Sequence, residues 1–389
     1  MIPLPLLATL ALLSATAPFA TDMYLPVMPA IVSDLETTRA AVQLTLTGFF
    51  IGMGVGQLVI GPLSDAVGRK RLLILGAGVA LAASAVAALA PSIAVLIAAR
   101  AFQGLGGGAC VVLSRAVVPD LLTGAAAAKA YSLLMALQGI APALAPVMGG
   151  FLAEPIGWRG IFWVLTGLHA LQFVLAILVV PETAGGRPHD HLVRTVIGNY
   201  LTVMRNGRFW GFLVTVAFGF CAMFSYISAS SFVLQQQQWG FSATSYSLIF
   251  AMNSMGMFAL TIVNAKALNK RAPKTMLSIG VGAALFCNFL LFLAIFLGAP
   301  VWLMVLILFC CIAPTGFIMG NATALATGLM REKAGSVSAI IGFAQSILAG
   351  VVSPLMGLGN DPALTMGIGM VVCSAIAVCG AFAALRKHA

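Results

Sequence analysis

Twelve runs of apolar residues, each long enough to cross a bilayer, leave this chain little choice of fold. They fall at about 6–32, 41–63, 72–90, 94–116, 127–153, 158–180, 209–234, 243–265, 275–298, 301–327, 335–358 and 363–385. A helix needs roughly 20 apolar residues to traverse the hydrocarbon, whereas a membrane barrel would show short alternating strands, a different pattern. Composition agrees: of 389 residues 61% are hydrophobic and 8% charged, against the usual quarter charged in a soluble domain. The expected fold class is all-α integral membrane, with twelve transmembrane helices. The first run lacks a basic n-region and carries prolines and an aspartate, so it reads as a retained helix rather than a signal peptide.

A net charge of +10 would ordinarily raise the question of nucleic acid, and its distribution answers it. Arg69, Lys70 and Arg71 follow the second run and Lys129 the fourth. Arg187, Arg194, Arg205 and Arg208 follow the sixth; Lys266, Lys270, Arg271 and Lys274 follow the eighth. Arg331 and Lys333 follow the tenth, and Arg386 and Lys387 close the sequence, while only Arg39 and Arg159 fall in loops on the other side. Basic residues collect on the cytoplasmic side of membrane helices. Both termini are therefore expected in the cytoplasm, with no nucleic-acid partner.

The longest polar interval, Pro181 to Arg208, divides the runs six and six. This predicts an N-terminal six-helix bundle over 1–180, a central cytoplasmic loop over 181–208 and a C-terminal six-helix bundle over 209–389, two pseudo-symmetric halves of a duplication. The turn GPLSDAVGRKR after the second run has a weaker counterpart, NAKALNKRAPK, after the eighth. The seven cysteines all lie in apolar runs, as small core or lipid-facing residues. His189 and His191 form an HxH in the solvated loop, and no metal site is expected.

Among the acidic residues, only Asp22 sits deep in an apolar run. It lies roughly 24 Å along the first helix, and Arg100 lies roughly 9 Å from the outer end of the fourth, at compatible depth. An intramembrane carboxylate is costly and is functional by default. Balanced between desolvation and a nearby cation, such an acid can exchange a proton; the bland alternative is a static buried ion pair. Pro26 and Pro29 follow Asp22 and either unwind the helix beside the acid or mark its end.

The cluster after the second run carries Gly61, Asp65, Gly68, Arg69 and Lys70, glycines for close approach and charges that can latch one conformation by ion pairs and helix-terminus contacts; Asp120, at the end of the fourth run, is the further acidic candidate. The stretch resembles the helix 2–3 signature of the major facilitator superfamily, with Ala66 where a basic residue is usual. Arg100, Gln103 and Gly104 are similar to its helix 4 signature. Pro142, Pro146, Gly149 and Gly150 in APALAPVMGG resemble the helix 5 motif of drug/proton antiporters, with Ala145 in place of a glycine. ATDMYLP followed by QLTLT resembles the bicyclomycin and chloramphenicol resistance branch (Bcr/CflA type).

That resemblance covers the whole chain and implies a proton-driven, alternating-access multidrug exporter of small amphipathic antibiotics. Asp22 corresponds to its coupling acid, with Arg100 as electrostatic partner; Ser14 stands where some relatives carry a second acid. Expected partners are a small-molecule drug, protons and the lipid bilayer. No cofactor beyond the proton gradient is expected, and the working unit is expected to be a monomer. The glycine-rich GLGGG has no preceding strand and is no dinucleotide loop, and no catalytic constellation supports an enzyme. Candidates for contact with a partly apolar substrate are Tyr24, Gln43, Gln57, Gln103, Tyr131 and Gln138, with Phe220, Phe224, Tyr226, Asn253 and Asn321 in the second half. A metabolite exporter or symporter of the same fold, and a passive channel or structural membrane subunit, are the alternatives. Transport direction separates the first, and flux unchanged by gradient collapse marks the second.

Overall fold

A computed structural model describes residues 3–122, 124–183, 192–235 and 239–386, and they are built from helices, with no strand among them. The chain divides into two compact units. One comprises 1–193 with 243–247, the other 194–242 with 248–389.

The first unit begins with a helix in three pieces, α1 (Leu4–Ser14), α2 (Thr16–Asp22) and α3 (Met28–Asp34), with a 3-10 turn (Leu25–Val27) between the last two. The first two pieces break at Ala15. Pro18 explains the position, because it has no N–H to give the Ser14 carbonyl and its ring crowds that carbonyl. The second interruption falls directly after Asp22 and contains Pro26, with Pro29 opening the next piece. Of the two readings of these prolines, unwinding beside the acid is the one found, and the helix resumes to Asp34.

The long helices α4 (Arg39–Val67), α5 (Arg69–Ala88) and α6 (Ile93–Leu121) follow. Thr38 and Ser92 start α4 and α6 by accepting N–H bonds from Ala41 and Val95 at 3.2 and 3.4 Å, the usual N-cap role of a hydroxyl. Helix α7 (Gly124–Leu178) carries two of the expected spans, turned at Gly157, whose φ of 64° and ψ of −175° leave the helical region. Glycine tolerates that conformation without a Cβ penalty. The core of this unit gathers Leu6, Leu10, Leu13, Leu73, Leu113, Val117 and Leu134.

The second unit starts inside the interval read from sequence as a loop. Helix α8 (Leu192–Met204) lies there, with Val203 buried and Tyr200 packed on the core. Then come α9 (Gly207–Gln235), α10 (Ala243–Ala267), α11 (Pro273–Phe296), α12 (Val301–Ile312), α13 (Thr315–Gly328), α14 (Ala334–Leu355) and α15 (Pro362–Arg386). Helices α12 and α13 form one span interrupted before Thr315, where Pro314 withdraws a donor. The core here is Phe209, Phe212, Val216, Leu277, Ile318, Ile341 and Ala381.

Among the described residues, 10 helices are long and apolar enough to cross a membrane, and 11 spans result when the bent first helix is counted as one. The sequence predicts twelve, and α7 accounts for the twelfth, since it carries two of the expected spans on either side of the non-helical Gly157. Phe102, Phe151, Phe286 and Trp302 stand more than half exposed, as side chains facing lipid do.

Candidate functional site

Helix α6 sets the depth of the site. Its Gly104 approaches α4 so closely that a Cβ there would overlap the Phe49 carbonyl, and Gly52 of α4 meets the Ala101 carbonyl in the same way. Small residues permit such contact between membrane helices, and the GLGGG run is used for it. Because α6 is held this close, Arg100 comes to rest among aromatic rings, fully buried. Its guanidinium carbon lies 4.5 Å from the Phe49 ring centre, 5.0 Å from Tyr24 and 5.8 Å from Phe162. Cation–π attraction is strongest where water is excluded.

Arg100 Nη1 donates to the Ala20 carbonyl at 2.8 Å and to Gln103 Oε1 at 2.5 Å. Its Nε and Nη2 have no hydrogen-bond partner. Asp22, 7% exposed, ends α2 two residues beyond Ala20. Among the described residues its one hydrogen-bond partner is the Thr21 hydroxyl, 2.8 Å from Oδ1. The two deep charges thus share a neighbourhood without forming an ion pair, and Arg100 holds the backbone that carries Asp22.

Tyr24 is fully buried; its hydroxyl shares a hydrogen bond with Thr45 of α4 at 2.5 Å, and its ring packs on Phe162 at 5.5 Å. Gln43 is buried and Gln57 half-buried along α4. The side chains of Tyr131 and Gln138 lie outside the described residues. In the second unit, Phe220 and Phe224 stack at 5.9 Å. Tyr226 stacks on Phe250 at 5.5 Å and accepts from Asn253 Nδ2 at 2.9 Å. Asn321 donates instead to Asn264 Oδ1 at 2.8 Å, a separate pairing.

At the turn between α4 and α5, Gly68 has a φ of 110°, a conformation costly for other residues. Arg69 pairs with Asp120 and donates through Nη1 to Ser64 at 2.9 Å. Sequence reasoning missed Glu182, whose Oε1 accepts from the Arg69 N–H at 2.8 Å and the Lys70 N–H at 3.4 Å, placing a carboxylate at the positive end of α5. Thr183 donates to Asp120 at 2.8 Å. The signal was available: an acid immediately after the sixth run, opposite a helix start with no side chain of its own to cap it. Half-buried Gly61 faces Val112. The Asp65 side chain lies outside the described residues, as do His189 and His191. Among the described residues no cluster of His, Cys, Asp or Glu could hold a metal.

On the opposite end of the unit Asp34 pairs with Arg159 and accepts from the Trp158 indole at 3.0 Å. In the helix 5 motif, Gly149 lies against the Met23 carbonyl, where a Cβ would overlap it. Pro146 and Gly150 are buried, and Pro142 is half-buried.

Apolar helices, one of them broken around a buried acid and clasped by a buried guanidinium, define a multi-pass α-helical membrane protein of the transporter class. The model of the Major Facilitator Superfamily matches residues 10–354, and the chain belongs to that family. It is 33% identical over 373 residues to an uncharacterized MFS-type transporter, YdgK, of Bacillus subtilis, covering 94% of this chain and 92% of the relative. It is 30% identical to a bicyclomycin resistance protein homolog of Haemophilus influenzae, covering 95% and 93%, and 29% identical to the multidrug resistance protein MdtL of Klebsiella pneumoniae, covering 92% and 90%. In fold it is similar to an inward-facing, unoccupied bacterial homolog of the lysosomal transporter Spinster, with a TM-score of 0.77, 14% identity and coverage of 98% and 97%. A D-xylose-proton symporter aligns with a TM-score of 0.72, 16% identity and coverage of 95% and 96%.

Proposed function

We propose that this transporter is a proton-coupled antiporter that exports small amphipathic drugs, amphenicol-like or bicyclomycin-like, across the bacterial inner membrane. Asp22 is the proton site, and Arg100, bonded to the Ala20 carbonyl, positions the backbone that carries it. The observation that carries the reading is the bonding of Asp22. The Thr21 hydroxyl lies 2.9 Å from the Ala17 carbonyl as well as 2.8 Å from Asp22 Oδ1, yet a hydroxyl has one hydrogen to give. Both contacts are satisfied when Thr21 donates to Ala17 and a protonated Asp22 donates to Thr21. A buried acid with no counter-ion in contact is suited to hold a proton. The names of the two resistance relatives support a drug as substrate, and the cytoplasmic bias of the basic residues supports an inner-membrane protein with both termini inside.

The cycle follows from competition. Facing the more acidic exterior, Asp22 takes a proton as the drug leaves; facing the cytoplasm it gives the proton up and drug binds. For a neutral drug, one inward proton supplies about 2.3 kcal/mol per 100 mV, enough for roughly fiftyfold accumulation. Proteoliposomes with an imposed proton gradient test this with chloramphenicol and bicyclomycin. Uphill movement that stops when an ionophore collapses the gradient is expected, and flux indifferent to the ionophore rejects the proposal.

The Arg69 cluster is read as a latch of one conformation. Arg69→Gln removes the charge from the pair with Asp120 but leaves the backbone N–H bonds to Glu182. Turnover is expected to fall about five- to tenfold, the scale of a partly exposed pair in a small network. Drug Kd should stay within about twofold. A large loss of equilibrium binding instead would refute the latch.

A further inference from the structure

Arg100 belongs to a buried relay that the site above does not account for. Gln172 Nε2 donates to the Leu12 carbonyl at 2.8 Å, so its Oε1 is left to accept, and it faces His169 Nδ1 at 2.9 Å. His169 Nδ1 therefore carries the hydrogen, and the lone pair on Nε2 faces Gln103 Nε2 at 3.4 Å. Gln103 sends its other amide hydrogen to Ser84 Oγ at 2.7 Å, and its oxygen accepts from Arg100 Nη1. These contacts together give each link of the relay one donor and one acceptor, with a neutral imidazole in the middle. Gln172, His169, Gln103, Ser84 and Arg100 are each at most 1% exposed. The relay ends on two carbonyls, Leu12 and Ala20, on either side of the helix break at Ala15.

We propose that His169 and Gln172 are positioning residues for the coupling site: they hold Gln103, and through it Arg100, on the Ala20 carbonyl, and so keep the guanidinium out of an ion pair with Asp22. This rests on the reading of Asp22 as the proton site. The physical need is plain, because a close cation locks a buried acid in its charged form, and an acid locked in that form does not cycle. Arg100 has two donors to spare, Nε and Nη2, so geometry rather than lack of capacity keeps it from Asp22. Besides Arg100, the titratable groups on the segments packed around α2 are Tyr24, Cys110, Arg115 and Asp120 of α6, the last paired with Arg69, and His169 itself on α7, where the side chains of Lys129 and Tyr131 lie outside the described residues. Glu154 lies just before the turn in α7 and Arg159 just after it, where Arg159 is engaged by Asp34.

The test is an infrared titration of the Asp22 carboxyl in the purified full-length chain, with the band assigned by its loss in Asp22→Asn. His169→Leu removes the acceptor that Gln103 uses, and the midpoint is expected to move to lower pH by about one unit, a tenfold change in proton affinity. His169→Gln, whose side-chain oxygen can accept from Gln103, is expected to keep the native midpoint. Gln172→Leu is expected to shift it in the same direction by less, and serves if His169→Leu does not fold. A general loss of stability lowers Tm without moving a midpoint in one direction. A native midpoint in folded His169→Leu or Gln172→Leu overturns the relay alone. An Asp22 that does not titrate in the native chain rejects the proton-site reading, and this inference with it.

Discussion

Replacing Asp22 by asparagine is expected to abolish uphill export while leaving the fold and drug binding in place. The side chain keeps its shape, and an amide N–H can donate to Thr21 Oγ1 as a protonated carboxyl would, with the Thr21 hydrogen on the Ala17 carbonyl 2.9 Å away. The variant is thus a fixed copy of the protonated state. No proton can be exchanged for drug, so an accumulation ratio of roughly fiftyfold at 100 mV should fall to about one. Two measurements separate coupling from collapse. Proton release on adding chloramphenicol to purified protein should be seen in the native chain and be absent in Asp22→Asn, while Tm should agree within a few degrees. Undiminished accumulation by the variant would remove Asp22 from the mechanism, and binding without proton release in either form would return the site to a structural role.

Much of this arrangement was legible in the sequence, because membrane insertion and charge placement leave coarse, additive signals. The apolar runs locate the helices, and basic residues mark one side. A lone acid in a long apolar run stands out against the cost of burying it. The turn cluster after the second run was also accessible, since Gly68, Arg69 and Asp120 carry residue types that a latch needs. What stayed hidden depends on where side chains point and which donor finds which acceptor. Matching depths bring Asp22 and Arg100 to the same region, but a guanidinium has five donors and takes the nearest acceptors, here a backbone carbonyl and Gln103. Pro26 and Pro29 foretell an interruption after Asp22, yet only geometry shows that the pieces continue as one bent helix. His169 and Gln172, three apart in an otherwise apolar span, were a readable signal of a buried polar relay. Their partners in two other helices, Leu12 of α1 and Gln103 of α6, were not. Helix α8 was hidden for another reason: a short amphipathic helix among charges reads like a linker.

A methyl group at Gly104 is expected to cost more than any change at the charged positions. An alanine Cβ there would sit on the Phe49 carbonyl, backbone against backbone, with no flexible side chain to swing aside. Relief requires α4 and α6 to separate, and with them the contact of Gly52 on the Ala101 carbonyl on the facing helix. Overpacking a close-packed interior typically costs about 1–3 kcal/mol and sometimes more; here the upper end applies, because small-residue contacts are what hold membrane helices together. Gly104→Ala should therefore give poor yields of monodisperse protein and a Tm lowered by many degrees. It should also weaken drug binding, since moving α6 draws Arg100 from the Phe49 ring at 4.5 Å. Gly61→Ala is the control, because its Cβ would meet only Val112 Cγ2 at 3.4 Å, an ordinary contact. Equal Tm for the two variants, by thermal unfolding in detergent, would show that α4 and α6 are not packed at backbone distance and that the depth of Arg100 is set by something other than glycine.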